Sequence, residues 1–165
     1  AGKSTLFNLL THSEVFAADQ LFATLDTTSR RMTGEGTRPL VLSDTVGFIR
    51  DLPHTLVAAF SATLEETVRA DLLLHVIDAA SPVWQQQADD VNKVLKEIGA
   101  DEVPQILVHN KIDACAIDPG VTRDQYGKIA AVRVSARTGA GVEVLREILA
   151  QTPHTMQDIG SPVAA

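Results

Sequence analysis

Apolar positions along the chain follow two rhythms. "DLLLHVIDAA", "PQILVHNKID" and "IAAVRVSA" contain short, nearly unbroken apolar runs. Such runs predict parallel strands buried on both faces. Elsewhere the spacing is helical. Leu56, Phe60, Thr63, Leu64 and Thr67 share one face, with Glu65, Glu66 and Arg69 beside them. "SPVWQQQADDVNKVLKEIGA" opens on Ser-Pro and closes on Gly99, a start and a stop signal. "GAGVEVLREILAQ" sets Val142, Leu145, Ile148 and Leu149 on one side, and Ser4 to Leu10 reads as a helix start. "RRMTGEGTRPLVLSDTVGF" predicts a hairpin with Gly34 and Gly36 in its turn and a second strand, Leu40 to Ser43, ending on Asp44. "THSEVFAADQLFATLDTTS" lacks a clean period and reads mostly as loop. Strands alternating with helices predict a three-layer α/β fold, a mostly parallel sheet with helices on both faces.

Composition narrows the function classes. With 165 residues, 45% hydrophobic and 21% charged, the chain has enough apolar matter for one globular domain. Its net charge of -7 gives no general electrostatic reason to bind nucleic acid. A single cysteine, Cys115, excludes an internal disulfide and fits a reducing, cytoplasmic compartment. No apolar run reaches the roughly 18 residues that would predict stable membrane insertion. The first residues do not read as a signal peptide, and a monomer is expected.

Four motifs carry candidate chemistry. Gly2, Lys3 and Ser4, followed by Thr5, match the end of the phosphate-loop pattern G-x-x-x-x-G-K-[ST]. There, backbone N–H groups and a helix N-terminus cradle phosphates, the lysine reaches the β- and γ-phosphates, and the serine hydroxyl ligates Mg2+. "GKS" also recurs by chance. "DTVGF" puts Asp44 at a strand end, where a carboxylate holds Mg2+ through water. Thr45 and Val46 lead to Gly47, whose N–H can approach a γ-phosphate closely; an ordinary turn reads the same way. "NKID", Asn110, Lys111, Ile112 and Asp113, ends an apolar strand and is the most specific of the four. A carboxylate accepts two N–H bonds from guanine N1 and N2, a donor pair that adenine lacks. Asp113 suits that task, the Lys111 stem suits the base face, and Asn110 suits tying the loops together. A polar strand-to-loop turn is the plain alternative. In "VSARTGAG", Ser135 could brace the loop, the Ala136 N–H could bond guanine O6, and Arg137 lies alongside; a small-residue turn also fits.

The motifs occur in one order, each after a predicted strand or opening a helix. The chain thereby resembles a Ras-like, translation-factor-type P-loop GTPase domain over nearly its whole length. "AADQLFATLDTTSRR", "LSDTVGFIRDLPHTLVAAFSATLEET" and "LLLHVIDAAS" narrow the resemblance to the HflX family, in the Obg–HflX group. The resemblance implies binding of GTP and GDP, GTP hydrolysis and Mg2+ as cofactor. It also implies the large ribosomal subunit as partner, with splitting or rescue of ribosomes by the complete protein. It places Phe22, Ala23, Thr24, Leu25 and Asp26 in the first switch, with Thr24 on Mg2+ and sensing the γ-phosphate. The metal set is then Ser4, Thr24 and Asp44, and the catalytic set Lys3, Thr24 and Gly47. Phe48 stands where Ras-like enzymes carry a water-orienting glutamine. A phenyl ring cannot orient water, so slow intrinsic turnover is expected.

The chain lacks the strand and front half of the loop that precede the "GKS" glycine in the family. The expected organisation is a partial GTPase domain over residues 1–151 and a flexible tail over 152–165, where "TPHTMQDIGSPVAA" is polar and broken by Pro153 and Pro162. The missing strand is expected to leave the facing edges of two buried strands unpaired. The alternative reading is a truncated, non-catalytic fragment with weak or no nucleotide binding; "NKID" disfavours an ATPase. His75 and His109 read as strand histidines, while His12, His54 and His154 show no zinc spacing. Cys115 reads as a passive thiol.

Overall fold

The computed structural model describes residues 2–11, 28–32, 40–44, 65, 67–151 and 162–164. Helix α1 spans Lys3–Thr11, α2 Trp84–Glu97 and α3 Val142–Gln151. The strands are β1 Thr28–Met32, β2 Leu40–Asp44, β3 Leu72–Asp78, β4 Gln105–Asn110, β5 Gly120–Arg123, β6 Ile129–Arg133 and β7 Pro162–Ala164. They form one sheet in the order β1-β2-β7-β3-β4-β6-β5. Only the two edge pairs, β1 with β2 and β5 with β6, are antiparallel. The expected α/β fold with a mostly parallel sheet is therefore present.

The three apolar runs became β3, β4 and β6; β3 buries both faces, whereas β4 buries alternate residues and β6 buries Val132 with its neighbours half-buried or exposed. Leu72, Leu74, Ile106, Val108 and Val132 pack under α1 and α3, against Leu6, Phe7, Leu10, Leu145 and Leu149. On the other face Leu73 meets Leu95 of α2, with Ala70 and Ala100. Arg146 of α3 donates to the Leu9 carbonyl, tying the two helices of the first face together. Helix α2 starts at Trp84, after Ser81 rather than at the expected Ser-Pro, because Ser81 makes a turn there: its hydroxyl accepts from the Val83 N–H at 3.4 Å. It stops as expected on Gly99, whose φ of +78° lets Ala100 donate back to the Leu95 carbonyl. Of the helix expected around Leu56 to Arg69, residues 65 and 67–69 are described and helical.

Two elements differ from the expectation. Between β4 and β6 the chain forms β5 and a tight return, which the sequence reading did not contain. Asp124 organises it: one carboxylate oxygen accepts from the N–H groups of Tyr126 and Lys128, an aspartate turn. The second difference is β7. Residues 162–164 are not a free tail but pair in parallel with β2 and β3 together, Val163 opposite both Leu42 and Leu72. The facing edges are therefore occupied along Val41–Ser43 of β2 and Leu72–Leu73 of β3, where a short extended segment supplies ladder groups that buried strands require. Residues 152–161 lie outside the described residues.

Burial lowers the pKa of His75, and burial with the nearby Arg133 charge lowers that of His109. His109 meets the Trp84 ring edge-on at 4.9 Å. Both histidines are thus harder to protonate folded than unfolded, where the ordinary value is 6.5. Stability is full above that value and falls as pH drops below it, since the unfolded chain then binds more protons. Thermal melts should show a lower midpoint at pH 5.5 than at pH 7.5, and His75→Gln should shrink the difference. An unchanged midpoint would contradict the burial assignment.

Candidate functional site

Asp44, Asp78 and Asn110 are the last residues of β2, β3 and β4, and all three strands run the same way. Their carboxyl ends share one edge of the sheet, the usual location of ligand sites in open α/β sheets. Gly2 and the start of α1 reach the same edge. A Cβ on Gly2 would lie 2.6 Å from Asn110 Nδ2 and 3.9 Å from Lys111 Cε. The glycine, at φ +77°, is what lets the phosphate-loop motif touch the base-reading motif.

Asn110 is 1% exposed, and its Oδ1 accepts the Ala136 N–H at 2.9 Å. It thus lies against the first motif and bonds the fourth. Beyond it the backbone turns sharply: Lys111 is left-handed at φ 66°, and a single 3-10 turn, Ile112–Ala114, follows. Ile112 is buried and anchors this turn beneath the loop. Asp113 is held from the side. The Ser135 hydroxyl donates to its Oδ1 at 2.6 Å, and the Arg137 guanidinium lies 3.9 Å from Oδ2. Ser135 is fully buried and also accepts the Thr138 N–H at 3.1 Å. One carboxylate oxygen is therefore braced by Ser135, and the other faces the exposed Arg137 guanidinium.

The loop after β6 closes on Gly141 at φ +75°, where a Cβ would lie 2.4 Å from the Arg133 carbonyl. The Ala136 N–H, expected to meet a base carbonyl, is taken by Asn110 here. A base oxygen at that place would share or displace this bond. Ser4 is buried at the start of α1, Lys3 is half-buried and Thr5 exposed. Phe22, Ala23, Thr24, Leu25, Asp26, Thr45, Val46, Gly47 and Phe48 lie outside the described residues.

The sequence reading missed Asp78. Its Oδ2 accepts from Lys111 Nζ at 2.8 Å, and its Oδ1 accepts the Ala80 N–H at 2.9 Å. Burial pushes its carboxyl up, but the bonds from Lys111 and Ala80 and the Lys111 charge outweigh this and hold it below the usual range. The available signal was an apolar strand ending on aspartate, as in "LSD". A cavity of about 320 Å3 lies elsewhere, between α2 and the sheet, lined by His75, Trp84, Asp89, Asn92, Gln105 and Leu107. It shares no residue with the four motifs.

Residues 1–111 match the family described as 50S ribosome-binding GTPase. GTPase HflX of Escherichia coli (strain K12) is 55% identical over 152 residues, which cover 92% of this chain and 36% of that protein. GTPase HflX of Magnetococcus marinus is 50% identical over 145 residues, covering 88% of this chain and 33% of that protein. The chain thus spans about a third of the length of these relatives. Among solved structures, a GTP-binding protein from the hyperthermophilic archaeon Sulfolobus solfataricus in complex with GDP superposes with a TM-score of 0.65 at 28% identity, over 90% of this chain and 49% of that one. The G domain of the T. maritima FeoB iron transporter superposes with a TM-score of 0.57 at 25% identity, over 90% of this chain and 89% of that one.

Proposed function

We propose, since the chain belongs to the 50S ribosome-binding GTPase family and is an HflX-type GTPase domain, that it reads guanine through Asp113 and switches between GTP- and GDP-bound forms. The observation that carries this is the brace on Asp113: a buried serine hydroxyl orients the carboxylate beside Asn110, which is itself bonded to the Ala136 N–H. Residues 1–151 would be the nucleotide-handling domain.

The donor chemistry suits Mg2+. Ser4 lies in the first turn of a helix and Asp44 ends a strand at the same sheet edge, and hydroxyl and carboxylate oxygens are hard ligands. Ser4, Thr24 and, through water, Asp44 would hold the ion, which when bound neutralises charge on the β- and γ-phosphates. Lys3 binds the same phosphates. Thr24 and Gly47 close on the γ-phosphate and release when it leaves, an order–disorder switch. The reaction is in-line attack of water on the γ-phosphate, with positioning and charge stabilisation as the protein's contribution. Phe48 offers no group to orient that water, so turnover by the isolated domain is slow and a partner accelerates it. The large ribosomal subunit is that partner, met in the cytoplasm by a monomer that splits or rescues ribosomes.

Thr24→Ala tests the switch. It should weaken GTP binding and hydrolysis while leaving GDP affinity nearly unchanged, because only GTP carries the phosphate that Thr24 senses. Equal losses for both nucleotides would contradict the role.

A further inference from the structure

We propose that Asp78 is a positioning residue of the base site, acting through Lys111. This rests on the guanine reading above. Asp78 and Asn110 are paired residues at the ends of adjacent strands, and the Ala79 N–H donates to the Asn110 carbonyl at 2.9 Å. The end of β3 is therefore stitched to the first residue of the base motif. One oxygen of Asp78 is committed to the Ala80 N–H, which fixes the carboxylate's orientation. The other holds Lys111 Nζ.

Lys111 needs such a hold. A non-glycine residue in the left-handed region is sterically disfavoured, and its backbone can relax unless something restrains it. Its carbonyl is restrained by the Ala114 N–H at 3.0 Å. Its side chain passes Gly2 and ends on Asp78. The ammonium is thereby parked at the β3 end, and the apolar stem is stretched across the floor between the phosphate loop and the base-reading loop. A base would lie on that stem. With side chains 43% and 25% exposed, the pair is more sheltered than a free surface bridge, and such pairs contribute more than exposed ones.

The experiment measures dissociation of fluorescently labelled GDP from the wild-type chain, Asp78→Asn, Asp78→Glu, Lys111→Met and the double variant Asp78→Asn/Lys111→Met, with thermal melts of each. The expected result is about fivefold faster dissociation for Asp78→Asn, as for contacting residues that couple in pairs. Recovery in Asp78→Glu and no further loss on adding Asp78→Asn to Lys111→Met are also expected. A merely structural Asp78 would lower the melting temperature equally in both backgrounds and show additive effects, which would overturn the proposal. So would unchanged dissociation in Asp78→Asn while Asp113→Asn abolishes GDP binding, a result that leaves the guanine reading standing. Absence of any guanine nucleotide binding by the wild type would overturn both.

Discussion

Replacing Asp113 with asparagine should lower GTP affinity by at least about a hundredfold and raise affinity for xanthosine triphosphate. On the proposed reading the carboxylate would accept from guanine N1–H and from the exocyclic amine, and each bond to a charged group contributes about 1.5–3 kcal/mol. Asparagine turns one acceptor into an N–H donor that faces the guanine amine. Xanthine carries a carbonyl where guanine has that amine, so the new donor finds an acceptor. The brace survives, because the Ser135 hydroxyl can donate to an amide oxygen as it does to Asp113 Oδ1 at 2.6 Å. The variant therefore keeps its loop geometry and changes only the pattern of donors and acceptors. Titration of both triphosphates checks it; unchanged GTP binding would remove Asp113 from the base site.

Gly2→Ala should destabilise the domain by about 2–5 kcal/mol and abolish tight nucleotide binding. A left-handed alanine costs about 1–2 kcal/mol, and Gly2 sits at φ +77°. The added methyl would lie 2.6 Å from Asn110 Nδ2. That amide is not a loose surface group: Asn110 is 1% exposed and bonded to the Ala136 N–H. Moving it strands a buried donor, at about 1–3 kcal/mol. Only the clash depends on the Asn110 side chain, so Gly2→Ala combined with Asn110→Ala should exceed Asn110→Ala alone by no more than the backbone cost of about 1–2 kcal/mol. Denaturant melts of the three variants decide this. Full additivity would mean that the glycine and the asparagine do not meet.

The placement of the described motifs was legible because they follow elements with strong local signals. "NKID" ends a buried apolar strand, so the strand placed it at the sheet edge, and Asn110 and Asp113 fall where that reading puts them. The position of Ser135 was also readable, since "VSA" directly follows the apolar run of β6. Interactions that depend on which strands become neighbours were not. Asp78 closes β3 and Lys111 follows β4, and only the parallel pairing of those strands brings their charges together. The bond between Asn110 and the Ala136 N–H likewise depends on how two loops meet in space. Strand β5 rests on an aspartate turn that carries little hydrophobic pattern. Strand β7 has three residues, begins on a proline and has no period to detect; its pairing with β2 and β3 is a property of the sheet, not of the segment.

The central claim is that this edge of the sheet selects guanine. Titration of GTP and ATP, with Mg2+, into the wild-type chain in a calorimeter tests it most directly. The account predicts affinity at least about a hundredfold higher for GTP, because a site built to bond a donor pair leaves its own groups unpaired when that pair is missing. Equal affinities for GTP and ATP would contradict it.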